Sequence, residues 1–185
     1  MSRIWMTGYR TYELGVFKEK DPKVQVLKYA IKKTMIEQLD LGLEWVITGG
    51  QLGVETWAIE VALDLKADYP DLRVAMLLPF GHFGSQWQEA SQTRLADLKQ
   101  QVDFYADVHK EDYQGPYQLR QYQDFVLNHT DGAVLLYDAE FPGKAQYDYQ
   151  AILDFQAQSP YPLETISMDD LQEFANDYQE NQHDQ

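Results

Sequence analysis

Hydrophobic positions along this chain follow two alternating rhythms. Short apolar runs sit at Arg3–Thr7, Leu43–Thr48, Arg73–Leu78, Tyr105–His109, Gly132–Tyr137 and Leu163–Ile166, the lengths and spacing expected of strands. Between them apolar residues recur every three or four positions. After Asp21-Pro22, a helix-start pair, come Val24, Leu27, Ile31, Met35 and Leu39, and Gly42 ends the run. Val54, Trp57, Ala58, Val61, Ala62 and Leu65 repeat that spacing and lie on one face of a second helix. Further helices are predicted from a Ser85 cap to about Gln101, from Pro116 through Leu119, Tyr122 and Val126, and over Gln146–Gln158. Met168, Leu171, Phe174 and Tyr178 mark a terminal helix.

Strands alternating with helices imply a mostly parallel sheet covered on both faces, because right-handed crossovers place the helices there. Gly132–Tyr137 is apolar throughout and reads as a central strand. No internal repeat or low-complexity linker interrupts the pattern. The expected architecture is α/β, one Rossmann-like domain over 1–176 followed by a polar tail, 177–185.

In such a sheet all strands point their carboxyl ends to one rim, where ligands bind. The residues that follow the strands are therefore the candidates. They include Thr7-Gly8-Tyr9-Arg10, Thr48-Gly49-Gly50-Gln51, Pro79-Phe80-Gly81-His82, His109-Lys110 and Tyr137-Asp138. Gly49, Gly50 and Gly53 stand where a strand gives way to a helix. Glycine there lets successive amides turn inward and lets an anion approach a helix N-terminus. The spacing is neither the dinucleotide fingerprint nor a P-loop, and a plain tight turn would use the same residues. A helix terminus contributes only about 0.3–1 kcal/mol to an anion, whereas micromolar binding needs about 8 kcal/mol. The remainder must come from arginine forks or an apolar slot. Arg10 follows the first strand and Arg120 opens the helix before Gly132–Tyr137; both suit bidentate phosphate contact, or equally surface ion pairs.

Glu55, in a helical first turn, either complements the helix dipole, accepts ribose hydroxyls or acts as a general acid/base. Thr7 and Thr48 are phosphate donors or ordinary strand-end hydroxyls. Phe80 and Trp87 are candidates to stack a base, with core packing as the alternative for at least one. Asp138 and Asp148 join Glu55 as acid/base candidates. His82, His109, His129 and His183 show no ligand spacing and there are no cysteines, so no metal is expected.

Composition narrows the partners. Thirty acids against fifteen bases leave a net charge of −15, and the bases are scattered, which argues against nucleic-acid binding. No apolar segment approaches the roughly 18 residues of a membrane span. The N-terminus carries no basic-then-apolar leader, which reads as cytoplasmic.

The segments TGYRTYELGVF (Thr7–Phe17), GLEWVITGGQLGVETWA (Gly42–Ala58), YPDLRVAMLLPF (Tyr69–Phe80), DGAVLLYD (Asp131–Asp138) and YPLETISMDDL (Tyr161–Leu171) together resemble the YpsA family. That family lies in the SLOG superfamily of Rossmann-like domains, with the DNA-processing protein DprA and the LOG phosphoribohydrolases. The resemblance implies a nucleotide, nucleotide sugar or ADP-ribose-like ligand at the glycine loop. Carried over, the site is Gly49, Gly50, Gln51, Gly53 and Glu55, with Gly8 and Arg10. It also implies a protein partner in cell division and leaves a homodimer open. The LOG motif P-G-G-x-G-T-x-x-E survives only as Pro142-Gly143, which weakens the case for glycosidic cleavage; Lys144 would replace lost backbone donors with a point charge. Three functions follow: a ligand-binding sensor with no fixed cofactor, a hydrolase of nucleoside-phosphate glycosidic bonds, and an interaction module with a vestigial site.

Overall fold

The computed structural model of the chain describes residues 2–184. Six parallel strands form one sheet: β1 (Arg3–Gly8), β2 (Trp45–Thr48), β3 (Arg73–Leu78), β4 (Phe104–Asp107), β5 (Gly132–Leu136) and β6 (Leu163–Ile166), in the order β4-β3-β2-β1-β5-β6. Six helices connect and follow them: α1 (Pro22–Asp40), α2 (Val54–Leu65), α3 (Glu89–Gln101), α4 (Pro116–Asn128), α5 (Ala145–Gln156) and α6 (Met168–His183). The Rossmann-like α/β architecture expected from the hydrophobic pattern is present.

β2 and β1 are the central pair, β5 lies between β1 and the edge strand β6, and every β5 residue is buried. The register pairs Ile4 with Gly132 and Gly8 with Leu136, while Ile4 faces Val46 on the other side. The chain steps outward from β1 to β4, then returns to lay β5 against the free side of β1. Loops leaving β1 and β5 therefore diverge, opening a crevice at their carboxyl ends. Helix α1 packs against both α2 and α6, and α4 packs on α5. Helix α2 lies against β1, β2 and β3 and is buried from Val54 to Ile59, which is why its apolar positions exceed a single stripe.

Local chemistry sets the ends. Asp21 accepts the Lys23 amide at 2.9 Å with Pro22 in the first turn, capping α1. Ser167 and Asp170 exchange hydrogen bonds of 3.1 and 2.8 Å in a reciprocal cap of α6.

Three expectations are corrected. The helix predicted from Ser85 begins at Glu89, because Gly84 is left-handed (φ 83°) and Ser85–Gln88 form a turn whose carbonyls accept from the Gln92 side chain. The fourth strand starts at Phe104 instead of Tyr105, since Asp103 clamps Val74 through both its amide (3.0 Å) and its carboxylate (2.8 Å). Helix α6 runs to His183, beyond the start of the predicted tail, where Asn181 donates to Tyr29 at 2.8 Å and Tyr29 donates to Asp177. No helix among the described residues is long and apolar enough to cross a membrane.

Candidate functional site

A cavity of about 810 Å³ opens at the carboxyl edge. Its walls come from both sides of the crevice. The β1 loop supplies Arg10 and Tyr12, and the β2 loop supplies Gly49, Gly50 and Gln51. Pro79, Phe83 and Trp87 follow β3. Helix α4 contributes Pro116, Leu119, Arg120, Tyr122 and Gln123, and the α5 side contributes Lys144, Tyr147 and Asp148. Glu55, from the first turn of α2, is 6% exposed and forms the deep end.

Glu55 is held on both oxygens. Oε1 accepts the Gln51 amide at 2.9 Å and Oε2 accepts the Thr7 hydroxyl at 2.8 Å. Asp148 lies next to it: Gln123 donates to Oδ1 at 2.8 Å, and the Thr7 oxygen is 3.5 Å from Oδ2. Thr7 has one proton, so it serves one carboxylate well and the other poorly. Burial, reinforced by the neighbouring Asp148 charge, pushes the Glu55 pKa from 4.5 up to about 7 against the opposing hydrogen bonds and Arg10. Burial likewise raises Asp148. The Tyr122 hydroxyl is buried without a hydrogen-bond partner among the described residues, and burial with both carboxylates nearby drives its pKa well above the phenolic range.

Packing places its own demands on the glycines. A Cβ on Gly49 would stand 2.6 Å from Glu55 Oε1 and 2.8 Å from the Tyr122 oxygen. One on Gly50 would strike Leu78 and Leu95 at 2.7 and 2.9 Å. Gly53 has φ 133° and lies against the Tyr9 carbonyl, with the Val54 amide donating to that same oxygen at 3.1 Å. The Gly53 amide goes to Thr56 Oγ1 at 3.2 Å. The expectation of a backbone anion cradle over 49–53 is thus corrected in one respect: the amides of Gln51, Gly53 and Val54 are already engaged, one of them by a carboxylate.

Cationic side chains stand nearer the mouth. Arg10 pairs with Glu13 at 3.7 Å, and Glu13 also accepts the amides of Arg10 (2.9 Å) and Lys144 (2.7 Å), tying the β1 loop to the β5–α5 loop. Lys144 Nζ stands 5.8 Å from the centre of the Tyr12 ring. Of the five arginines, Arg120 is the one without an ion pair among the described residues. Phe83 and Trp87 meet edge to face at 5.1 Å on the apolar side.

The structure brings Arg10, Gly49, Gly50, Gln51, Glu55, Pro79, Arg120 and Lys144 to one cavity, with Thr7 beneath Glu55. It sets others aside. Gly8 packs on Leu136, and the Thr48 hydroxyl is spent on the Met6 carbonyl. Phe80 packs on Phe83 and Tyr113, leaving Trp87 as the base-stacking candidate at the cavity. Asp138 accepts the Glu140 and Met168 amides at 3.0 and 3.1 Å, a structural task. Tyr122 and Gln123 were not singled out from the sequence; Tyr122 sits at a helical core spacing and nothing local separates it from its apolar neighbours. Among the described residues no group of three His, Asp or Glu side chains is placed to hold a metal.

A family model described as the YspA SLOG family, under the name YpsA, matches residues 4–171. The chain belongs to this family. A UPF0398 protein of Leuconostoc citreum is 60% identical over 182 residues, covering 98% of this chain and 96% of its own. UPF0398 proteins of Levilactobacillus brevis and Latilactobacillus sakei are 56% and 55% identical, covering 98% and 97% of this chain and 96% and 97% of their own. The YpsA assignment agrees with the resemblance carried by the glycine-loop and strand motifs.

Proposed function

We propose that the chain binds a nucleotide-derived molecule, a nucleotide sugar or ADP-ribose-like compound, at the carboxyl edge and acts as a sensor or regulator. The observation that carries this reading is the cavity's division. Arg10, Arg120 and Lys144 stand at its more exposed part, and Phe83 and Trp87 form an apolar wall within the same 810 Å³. Charge-assisted hydrogen bonds contribute about 1.5–3 kcal/mol each and stacking of a base about 1–3 kcal/mol, together enough for micromolar affinity. A net charge of −15 does not oppose this. At physiological ionic strength charges beyond about 8 Å are largely screened, and the local cations dominate. Phosphate recognition falls mainly to side chains, because the amides of Gln51, Gly53 and Val54 are engaged. The ligand-bound form would then report to a protein partner, in cell division if the chain follows the expectation raised by its family resemblance.

A thermal-shift screen with nucleotides, NAD, ADP-ribose and nucleotide sugars tests the reading. A ligand of the native state must raise the unfolding temperature, so no shift by any of them at millimolar concentration rejects it.

One observation favours a second reading. Glu55, with its pKa near 7 beside Asp148, is poised to give or take a proton, as a hydrolase of N-glycosidic bonds requires. Release of free base from nucleoside monophosphates would select this reading; intact substrate after long incubation excludes it.

A further inference from the structure

We infer that the cluster of Thr7, Glu55, Tyr122 and Asp148 is a receptor for a vicinal diol, so that the ligand is a ribosyl compound with neighbouring hydroxyls free. This rests on the nucleotide reading and names the part of the ligand that reaches the deep end.

The four side chains arrive from four elements: the end of β1, the first turn of α2, the middle of α4 and the first turn of α5. Their hydrogen bonds are incomplete in a specific way. Thr7 donates to Glu55 at 2.8 Å and leaves Asp148 Oδ2 at 3.5 Å with a weak contact. The Tyr122 hydroxyl is buried and has no partner among the described residues. Leaving such a group unmet is expensive, so the cluster is short of both donors and acceptors.

The guest that completes it must offer O–H donors to carboxylate oxygens and an acceptor to Tyr122. Phosphate offers no donors when fully ionised and is repelled by the two acids. An ammonium group supplies donors but gives the phenolic proton nowhere to go. A hydroxyl does both, and two adjacent hydroxyls span a wider set of oxygens than one. Arg10 lies close enough to both acids to favour their ionised forms. A phosphate esterified to the same sugar would find its counter-charge there. Glycine at position 49 fits this reading, since a Cβ would intrude between Glu55 and Tyr122.

The test is calorimetric titration of the full chain at neutral pH with ADP-ribose, NAD and AMP. Each is compared with counterparts lacking the 2′- or 3′-hydroxyl of one ribose. Loss of one hydroxyl from the ribose held in the cluster is expected to weaken binding at least tenfold. Tyr122→Phe removes a hydroxyl that has no partner, so the variant folds normally. It and Asp148→Asn are expected to bring the ribo ligand down toward the deoxy affinity while changing the deoxy affinity little. Binding of ribo and deoxy forms with equal affinity overturns the diol inference and leaves the nucleotide reading standing. Failure of every probe to bind overturns both.

Discussion

Glu55→Gln should make this protein more stable at alkaline pH, although it removes a buried side chain that is hydrogen-bonded on both oxygens. In the unfolded chain the carboxyl titrates near 4.5; in the folded protein burial and Asp148 raise it to about 7. Between those values the native state holds a proton that the unfolded state has released, so stability declines as pH rises through the window. Below pH 4.5 the group carries no penalty; above pH 7 the full penalty applies, about 3 kcal/mol at roughly 1.4 kcal/mol per pH unit. Glutamine escapes it. Its carbonyl can still accept the Gln51 amide, and its NH₂ can donate to the Thr7 oxygen, whose own proton is then free for Asp148. The expected gain at pH 8 is about 2–3 kcal/mol, or about 5–10 °C in melting temperature for a domain of this size. At pH 5 the variant and the parent should differ by less than about 1 kcal/mol, since most of the penalty is then absent. Chemical denaturation of both proteins at the two pH values measures the difference, and titrating groups remote from Glu55 cancel in the comparison. A glutamine variant that is less stable at pH 8, or one whose advantage does not depend on pH, refutes the reasoning.

The remaining predictions concern the walls of the site and one hydrogen bond of the core. Gly49→Ala forces a methyl group against Glu55 and Tyr122 and should lower stability by about 1–3 kcal/mol, read by urea unfolding; no loss would mean that the loop relaxes freely. Arg10→Ala should weaken binding of whichever nucleotide the thermal screen identifies by about 10–100-fold in calorimetry, the worth of one charge-assisted contact. Lys144→Ala should weaken it less, because an exposed lysine is a solvated point charge; unchanged affinity in both would remove the side-chain phosphate grip. Tyr161→Phe deprives the buried Gly132 carbonyl and the Thr130 hydroxyl of a partner at 3.0 and 2.6 Å. It should lower the melting temperature by several degrees, about 1–2 kcal/mol.

Much of this arrangement was legible before any coordinates. The spacing of Val54, Trp57, Ala58, Val61, Ala62 and Leu65 is the buried face of α2, and the run at Gly132–Leu136 is a fully buried strand inside the sheet, although it stands next to the edge strand and not at the centre. Parallel topology then sends the strand ends to one rim, which is why Arg10, Gly49, Gly50 and Glu55 could be collected by position alone. Three things were not legible. Which way a strand-end hydroxyl points depends on its neighbours: Thr7 turns to Glu55 while Thr48 turns to a carbonyl. Gly49 and Gly50 also answer to side chains distant in sequence, Tyr122, Leu78 and Leu95, which no local pattern reveals. The contributions of Tyr122 and Gln123 depend on how α4 lies across the rim, and helical periodicity marks an inward face without saying whether core or cavity lies beneath it. Asp138 was equally visible as an acid after β5, yet its oxygens are occupied by the Glu140 and Met168 amides.

The central claim is that the crevice where β1 and β5 diverge is the ligand site. Crystals grown with ADP-ribose test it most directly. The account predicts density in the cavity, with phosphates beside Arg10 and Lys144 and a ribose against Glu55 and Asp148. Ordered ligand elsewhere on the surface, with Glu55, Asp148 and Tyr122 untouched, would contradict it.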